Sequence, residues 1–219
     1  MLPKLSNREF EALTQGARIL EKDSFGLKVL RLPNARILKL FRRKHWISSQ
    51  LWAPHALRFQ KNAARLLAKG ILTVEIEATF NIPEMERQAI LYHELPGTTL
   101  RSWLSGHEAE HMIQQFGRFV AKLHAEGVLF RSLHFGNVLV TPEQDLALID
   151  IVDMRFQKHA LNTRQRIRNF AHIGRYTGDR TLFTQTGEHT FIEAYLEAAQ
   201  LNLNAQTTLR KAFIAGLHG

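Results

Sequence analysis

Short apolar runs broken by turn residues fill the first 95 residues. The spacing of apolar side chains predicts an opening helix over Ser6–Gln15. A second helix is predicted over Arg58–Lys69, because its apolar side chains share one face and Gly70 follows. Five strands are predicted from the remaining apolar runs, the first three as an antiparallel group: Ala17–Leu20, Leu27–Leu32, Ala35–Phe41, Val74–Phe80 and Ala89–Leu95.

The pattern becomes mostly helical after Pro96-Gly97, a pair that breaks the chain. Ser105 and Glu108 have the spacing of a capping box for the next helix. That helix carries an apolar stripe and ends at Gly127, the stripe being Met112, Phe116, Phe119, Val120 and Leu123. A β-hairpin is predicted from two runs separated by a turn, Val138–Val140 and Leu146–Ile149. Three more helices are predicted over Thr163–Tyr176, Phe191–Gln200 and Thr207–Leu217.

Composition fits a globular chain and removes several kinds of chemistry. The chain has 219 residues, 45% of them hydrophobic, which suits a single domain that is whole or split into two lobes. It has no cysteine, which excludes disulfides, a thiolate nucleophile and Cys-based zinc sites. The longest stretch without Asp, Glu, Lys or Arg is His45–Leu57, too short to span a membrane, and the first residues lack the apolar core of a secretory signal. We expect a cytoplasmic protein.

Positive charge is concentrated in one block. The net charge is +9, yet Ser24–Val74 contains 11 Lys and Arg and no Asp or Glu. Such a block attracts phosphate-rich partners. A basic face that is only solvated would have the same sequence pattern. Within it, Arg42, Arg43 and Lys44 lie close to Trp46 and Trp52, a mixture that predicts peripheral contact with an anionic inner-membrane surface. The alternative is a solvated loop with both tryptophans packed inside.

The segment most informative about chemistry runs from Leu123 to Val140. It reads Leu-His-Ala-Glu-Gly, then Val-Leu-Phe-Arg-Ser-Leu-His-Phe-Gly-Asn-Val-Leu-Val, and Asp150 follows Asn137 by 13 residues. Here the chain resembles the lipopolysaccharide kinase family (Kdo/WaaP type) of the protein-kinase-like superfamily, including members labelled toluene-tolerance proteins. The resemblance implies an α+β, protein-kinase-like bilobal fold in one domain of 1–219, with a β-rich N-lobe of about 1–95 and a helical C-lobe of about 96–219.

The resemblance also implies a catalytic loop and a metal site. Asn137 and Asp150 match the two metal ligands, whose oxygens would hold Mg²⁺ on the phosphates of ATP. Ser132 stands where the family has its catalytic Asp, next to Arg131, and a serine cannot accept a proton as a carboxylate can. His134 and Asp153 are nearby and could act instead, or could be structural.

Nucleotide-binding residues are implied in the first part of the chain. Lys39 matches the phosphate-binding lysine, and Gly26 lies where a glycine-rich loop belongs, although it is the one glycine there. Glu94 and Leu95 match the segment whose backbone binds adenine. The predicted helix Arg58–Lys69 lacks the glutamate that normally pairs with this lysine.

Three functions remain open at this point. The first is an ATP- and Mg²⁺-dependent kinase whose acceptor is the lipopolysaccharide core or another phosphorylated glycan. The second is a pseudokinase that serves as a nucleotide-binding scaffold or regulator in envelope biosynthesis, which the serine at position 132 favours. The third is a nucleic-acid-binding protein, which rests on charge alone and ranks last, because no helix-turn-helix, zinc-finger or RNA-stacking motif is present.

Overall fold

The computed structural model describes residues 2–42, 54–106 and 109–218. These residues form two compact units, 1–95 and 96–219. Strands dominate the first unit and helices the second, so the mixed α+β prediction is confirmed.

The first unit is built on a five-stranded antiparallel sheet with strand order β1-β2-β3-β6-β5. Its strands are β1 (Arg18–Asp23), β2 (Gly26–Leu32), β3 (Arg36–Arg42), the short β4 (Leu72–Thr73), β5 (Ile76–Ile82) and β6 (Arg87–His93). Its helices are α1 (Asn7–Leu13) and α2 (His55–Leu67). The five predicted strands and both helices are therefore present, with shifted ends. Ser6 and Glu9 form a capping box that starts α1.

A buried apolar cluster covers one face of this sheet and includes Leu30, Leu38, Ile82 and Leu91. Phe59 of α2 lies 1% exposed, with its ring 5.8 Å from the ring of Tyr92 on β6. The helix therefore packs on the sheet through the apolar stripe seen in the sequence.

The second unit is mostly helical. Its helices are α3 (Leu100–Leu104), α4 (Glu110–Ala125), α5 (Thr163–Ile173), α6 (Thr177–Thr186), α7 (Glu188–Ala199) and α8 (Leu203–His218). Its strands are β7 (Thr98–Thr99), β8 (Val128–Phe130), β9 (Val138–Val140), β10 (Leu146–Leu148) and β11 (Met154–Phe156). The β9–β10 hairpin is confirmed. The sequence patterns did not predict α3 or the β8–β11 pair, which are short, and they did not predict α6.

Close helix packing forms the core of this unit. Gly117 of α4 lies so near α7 that a methyl group there would meet the Phe191 carbonyl oxygen at 2.5 Å. Phe116 and Phe191 pack at 5.3 Å between ring centroids. The predicted capping box at Ser105 is wrong, because Ser105 ends α3 and donates its hydroxyl to the Arg101 carbonyl; its partner, Glu108, lies outside the described residues.

Candidate active site

Backbone hydrogen bonds fix the candidate catalytic loop at both ends. The loop leaves β8 after Phe130, passes through a single 3₁₀ turn over Phe135–Asn137 and enters β9. At its start, the Arg131 N–H donates to the Asp153 carbonyl at 2.9 Å, which extends the antiparallel pairing of β8 with β11. The two segments that carry the candidate site residues are thereby held side by side.

The structure brings the two candidate metal ligands together. The Ile149 N–H donates to the Asn137 carbonyl at 3.0 Å, so Asp150 is the next residue after a direct contact with Asn137. The Asn137 amide nitrogen donates to the Ser132 carbonyl at 2.9 Å, which leaves the amide oxygen as the atom available to a cation. Asn137 is buried, whereas Asp150 is exposed and has a left-handed backbone with φ of 51°. Such a conformation is uncommon for a residue with a side chain and often marks a functional position.

Amide and carboxylate oxygens are suitable ligands for Mg²⁺, which commonly binds through one or two protein oxygens together with phosphates and water. Across the residues that the structure describes, no group of three or more His, Cys, Asp or Glu side chains could hold a metal by itself. The Asn137 amide and the Asp150 carboxylate are both of the oxygen type that Mg²⁺ prefers.

The His134 ring accepts a hydrogen bond at Nδ1, which leaves the Nε2–H as a donor. Its Nδ1 accepts the Gly136 N–H at 3.2 Å. Burial is the main cause that lowers the pKa of His134, with Asp179 opposing the shift. The ring is therefore neutral near pH 7, and because Nδ1 accepts a bond, its hydrogen lies on Nε2.

Asp153 is also engaged in holding the loop. Its carboxylate forms an ion pair with the Arg131 guanidinium, and the two side chains are 40% and 31% exposed. Ser132, the residue after Arg131, is half-buried and accepts the Asn137 amide through its carbonyl. His134 and Asp153, the two residues that could replace a catalytic carboxylate, thus both have structural hydrogen bonds.

An ion pair that the sequence did not reveal supports the other side of the loop. The Arg101 guanidinium binds both carboxylate oxygens of Asp179, at 2.5 and 3.0 Å, and the Asp179 side chain is fully buried. Asp179 also accepts the Phe135 N–H at 3.2 Å. Bidentate pairing with a buried carboxylate holds the 3₁₀ turn in position.

A chain of buried hydrogen bonds lies beneath β8. Arg166 donates to the Tyr195 oxygen at 2.7 Å, and the Tyr195 hydroxyl lies 2.8 Å from His124 Nδ1. His124 Nε2 lies 3.0 Å from the Asn169 oxygen, and the Asn169 amide donates to the Phe130 carbonyl at 2.7 Å. Each of these four hydrogen bonds joins one donor to one acceptor when the His124 hydrogen lies on Nε2. The chain therefore anchors the residue that precedes the candidate catalytic loop.

The protonation states of this network follow from its burial. Burial lowers the pKa of His124 to about 3, and burial raises the pKa of Tyr195 to about 12. Both are neutral at pH 7, and Arg166 carries the one formal charge of the chain of bonds. The sequence signal for this network was the Leu-His pair at the end of α4, but its partners on α5 and α7 are distant in sequence.

Lys39 lies in the middle of β3, opposite Ile90 of β6. Its ammonium lies 5.8 Å from the ring centroid of Phe59 and 6.0 Å from that of Phe41. Helix α2 contains no acidic residue. The lysine is therefore placed against aromatic faces, an arrangement that favours a cation.

Gly26 belongs to a tight hairpin rather than a long glycine-rich loop. Asp23 pairs with Gly26 across a two-residue turn, and Gly26 has φ of 110°, a conformation that favours glycine. The Asp23 carboxylate accepts the Phe25 N–H at 2.8 Å, and the Arg87 guanidinium donates to the Phe25 carbonyl. A turn so short offers few backbone donors for phosphate.

The predicted adenine-binding segment is only partly available. The Glu94 N–H donates to the Ala35 carbonyl at 2.8 Å, and its carboxylate binds Arg31 at 2.7 Å. The Leu95 N–H makes no hydrogen bond to any described residue, which leaves it able to meet an adenine nitrogen.

Two membrane-related observations complete the description. Residues 43–53, with Trp46 and Trp52 of the predicted membrane contact, lie outside the described residues. No helix within the described ranges is long and apolar enough to cross a bilayer.

The fold and the loop geometry define a kinase-like protein, and a family comparison agrees. The family model of the lipopolysaccharide kinase (Kdo/WaaP) family matches residues 36–195, most of the chain. The chain therefore belongs to this family, as the loop motif predicted, and membership implies a phosphotransferase of the lipopolysaccharide kinase class. A comparison with curated proteins finds no match.

Proposed function

We propose that the protein is an ATP- and Mg²⁺-dependent kinase that phosphorylates a sugar hydroxyl of the lipopolysaccharide core. The observation that carries this proposal is the hydrogen bond from the Ile149 N–H to the Asn137 carbonyl. It supports a metal site because Asp150 follows Ile149 directly and because the Asn137 amide binds Ser132 through its nitrogen rather than its oxygen. The acceptor is a core glycan at the cytoplasmic face of the inner membrane, a location with which the basic block is compatible.

Each site residue has one role in this proposal. Asn137 and Asp150 hold Mg²⁺, which neutralises charge on the phosphates when it is bound. Lys39 binds phosphate as a point charge, Gly26 supports the turn near it, and the Glu94–Leu95 backbone binds adenine through the Leu95 N–H and the Glu94 carbonyl.

In the reaction, the acceptor hydroxyl oxygen forms a bond to the γ-phosphorus while the bond from that phosphorus to the β,γ-bridging oxygen breaks. ADP leaves, and the hydroxyl proton passes to water or to the transferred phosphoryl group. Arg131 and Asp153 hold the loop, Ser132 accepts or donates a hydrogen bond at the hydroxyl, and the His134 Nε2–H donates to an oxygen of the acceptor. Phosphoryl transfer depends mainly on positioning and charge, so a loop without a carboxylate base can still support it.

A second candidate function is a pseudokinase that binds nucleotide without transferring phosphate. The structural hydrogen bonds of His134 and Asp153 favour it, since neither side chain is free to replace the absent carboxylate. Loss of a positioned base lowers rates by roughly 10²- to 10⁴-fold.

One experiment separates the two functions. Purified protein is incubated with labelled ATP, Mg²⁺ and lipopolysaccharide core oligosaccharide, and its melting temperature is measured with and without Mg-ATP. The kinase proposal expects labelled oligosaccharide and a raised melting temperature, both lost in Asp150→Ala. A raised melting temperature without transfer supports the pseudokinase, and the absence of both results contradicts each function.

A further inference from the structure

A second segment without acidic residues lies in the second unit. Residues 154–178 contain six Lys and Arg and no Asp or Glu. Helix α5 occupies the middle of this segment and begins directly after its cap, Asn162. The segment is separate along the chain from the basic block Ser24–Val74. The sequence patterns above did not identify it as a second basic segment.

Three of these six basic residues lie on one face of α5 or just beyond its end. Arg164, Arg168 and His172 follow one another at intervals of four residues, and Arg175 comes three residues later. We name these four residues the basic stripe. The three arginines are exposed and His172 is half-buried. The opposite face of the helix holds Arg166 and Asn169, two members of the buried network.

The arginines of the basic stripe have no acidic partner among the described residues. None of Arg164, Arg168 and Arg175 forms an ion pair with a residue in the described part of the chain. Arg164 and Arg168 are like charges four residues apart, a spacing that destabilises a helix.

The stripe approaches the candidate catalytic loop. The Arg175 N–H donates to the His172 carbonyl at 3.4 Å, and the ring of Tyr176, the residue after Arg175, lies 4.9 Å from the ring of His134 in the loop. Burial is the main cause that lowers the pKa of His172; the charges of Arg175 and Arg168 lower it further, and Asp153 opposes the shift. His172 Nε2 is buried without a hydrogen-bond partner among the described residues.

An exposed aromatic ring lies between the stripe and the loop. Tyr176 follows Arg175 directly, is 46% exposed and packs edge-on against His134 at 4.9 Å between ring centroids. An exposed ring beside guanidinium groups can stack on the apolar face of a sugar while the arginines bind its anionic substituents.

We propose that the basic stripe, with Tyr176, binds the acceptor through phosphate groups that the acceptor already carries, and that it thereby selects phosphorylated sugars. This proposal rests on the proposed function, since it names the acceptor side of the same site. Guanidinium groups suit these ligands because they bind oxyanions in a bidentate manner.

The test measures binding without nucleotide, by calorimetry, for a phosphorylated core oligosaccharide and for the same oligosaccharide after phosphatase treatment. We expect the phosphorylated form to bind the wild type at least about tenfold more tightly, since charge-assisted hydrogen bonds to one phosphate account for that much.

The double variant Arg168→Gln with Arg175→Gln should lose this preference. Arg118→Gln, which removes one exposed positive charge from α4, should keep it. Tyr176→Ala should weaken both forms alike.

Equal affinity of the wild type for the two oligosaccharides overturns the proposal, and so does an unchanged preference in the double variant. Tighter binding of single-stranded DNA or of anionic vesicles than of the phosphorylated oligosaccharide also overturns it, because the stripe would then serve another class of partner. The binding assay contains no ATP and does not depend on phosphotransfer. A protein that prefers the phosphorylated oligosaccharide in this assay but transfers no phosphate in the labelled-ATP assay would contradict the proposed function and leave the stripe proposal standing.

Discussion

Lys39 and the candidate catalytic loop differ in the contacts that surround them. The lysine lies against the rings of Phe41 and Phe59, whereas the loop is fixed by directional hydrogen bonds to Asp179, Asp153 and Asn169. Aromatic faces at about 6 Å contribute weakly and tolerate small movements. Buried polar groups tolerate little, because each broken bond leaves a partner unsatisfied. Substitutions should therefore have graded effects around Lys39 and large effects around the loop.

The largest effect is expected at the metal site. Asp150→Asn should lower kcat for phosphotransfer by roughly 10²- to 10³-fold, because it removes the charged ligand of the cation. Asp145→Asn is a matched control, since Asp145 is exposed in the turn of the same hairpin. Initial rates at saturating ATP measure both. Equal rates for the two variants would contradict the assignment of Asp150.

A change in the buried network should affect stability next most. Tyr195→Phe removes the hydroxyl that joins Arg166 to His124 and leaves both without that partner. The free energy of unfolding should fall by about 2–4 kcal/mol, as two buried groups lose a bond. Urea unfolding measures the loss, with Tyr176→Phe at an exposed position as the control. A Tyr195 variant as stable as the control would mean that the network does not hold the loop.

The same network predicts a dependence of stability on pH. The pKa of His124 is about 3 in the folded protein, below its ordinary value of 6.5, so the unfolded chain binds more protons below pH 6.5. Stability should be fully present above pH 6.5 and fall as the pH drops toward 3, by up to about 1.4 kcal/mol per pH unit from this group.

The contribution of His124 is isolated by difference. His124→Gln has no titrating ring, so the gap in unfolding free energy between wild type and variant should narrow as the pH falls. Chemical denaturation at several pH values measures this gap. A gap that stays constant between pH 7 and pH 4 would exclude His124 as the source.

The smallest effect is expected beside Lys39. Phe59→Leu removes one aromatic face from the ammonium and should raise the KM for ATP by about two- to fivefold with little change in kcat, in line with a weak cation–π contact. Steady-state kinetics measure it, and Phe80→Leu on β5 serves as an aromatic control in the same sheet. A KM change of equal size in both variants would mean that the effect is one of general packing.

Sequence patterns predicted the five-stranded sheet of the first unit, most helices and the β9–β10 hairpin, because each carries a local period or turn signal. They also placed Asn137 and Asp150 together, since a hairpin joins them. They could not identify Asp179 or Asn169, whose partners lie 78 and 39 positions away along the chain. The basic stripe was missed for a different reason, because the chain-wide charge total hid a segment without acidic residues.

We propose that the loop works as a metal and phosphate site although it has no carboxylate base. The most direct test compares turnover of the wild type with Ser132→Asp and Ser132→Ala, using ATP, Mg²⁺ and core oligosaccharide. We predict that Ser132→Asp raises kcat, by up to roughly 10²-fold, because a positioned base contributes that much, and that Ser132→Ala changes it little. A Ser132→Asp variant that gains nothing, together with a Ser132→Ala variant that loses all turnover, would contradict the claim.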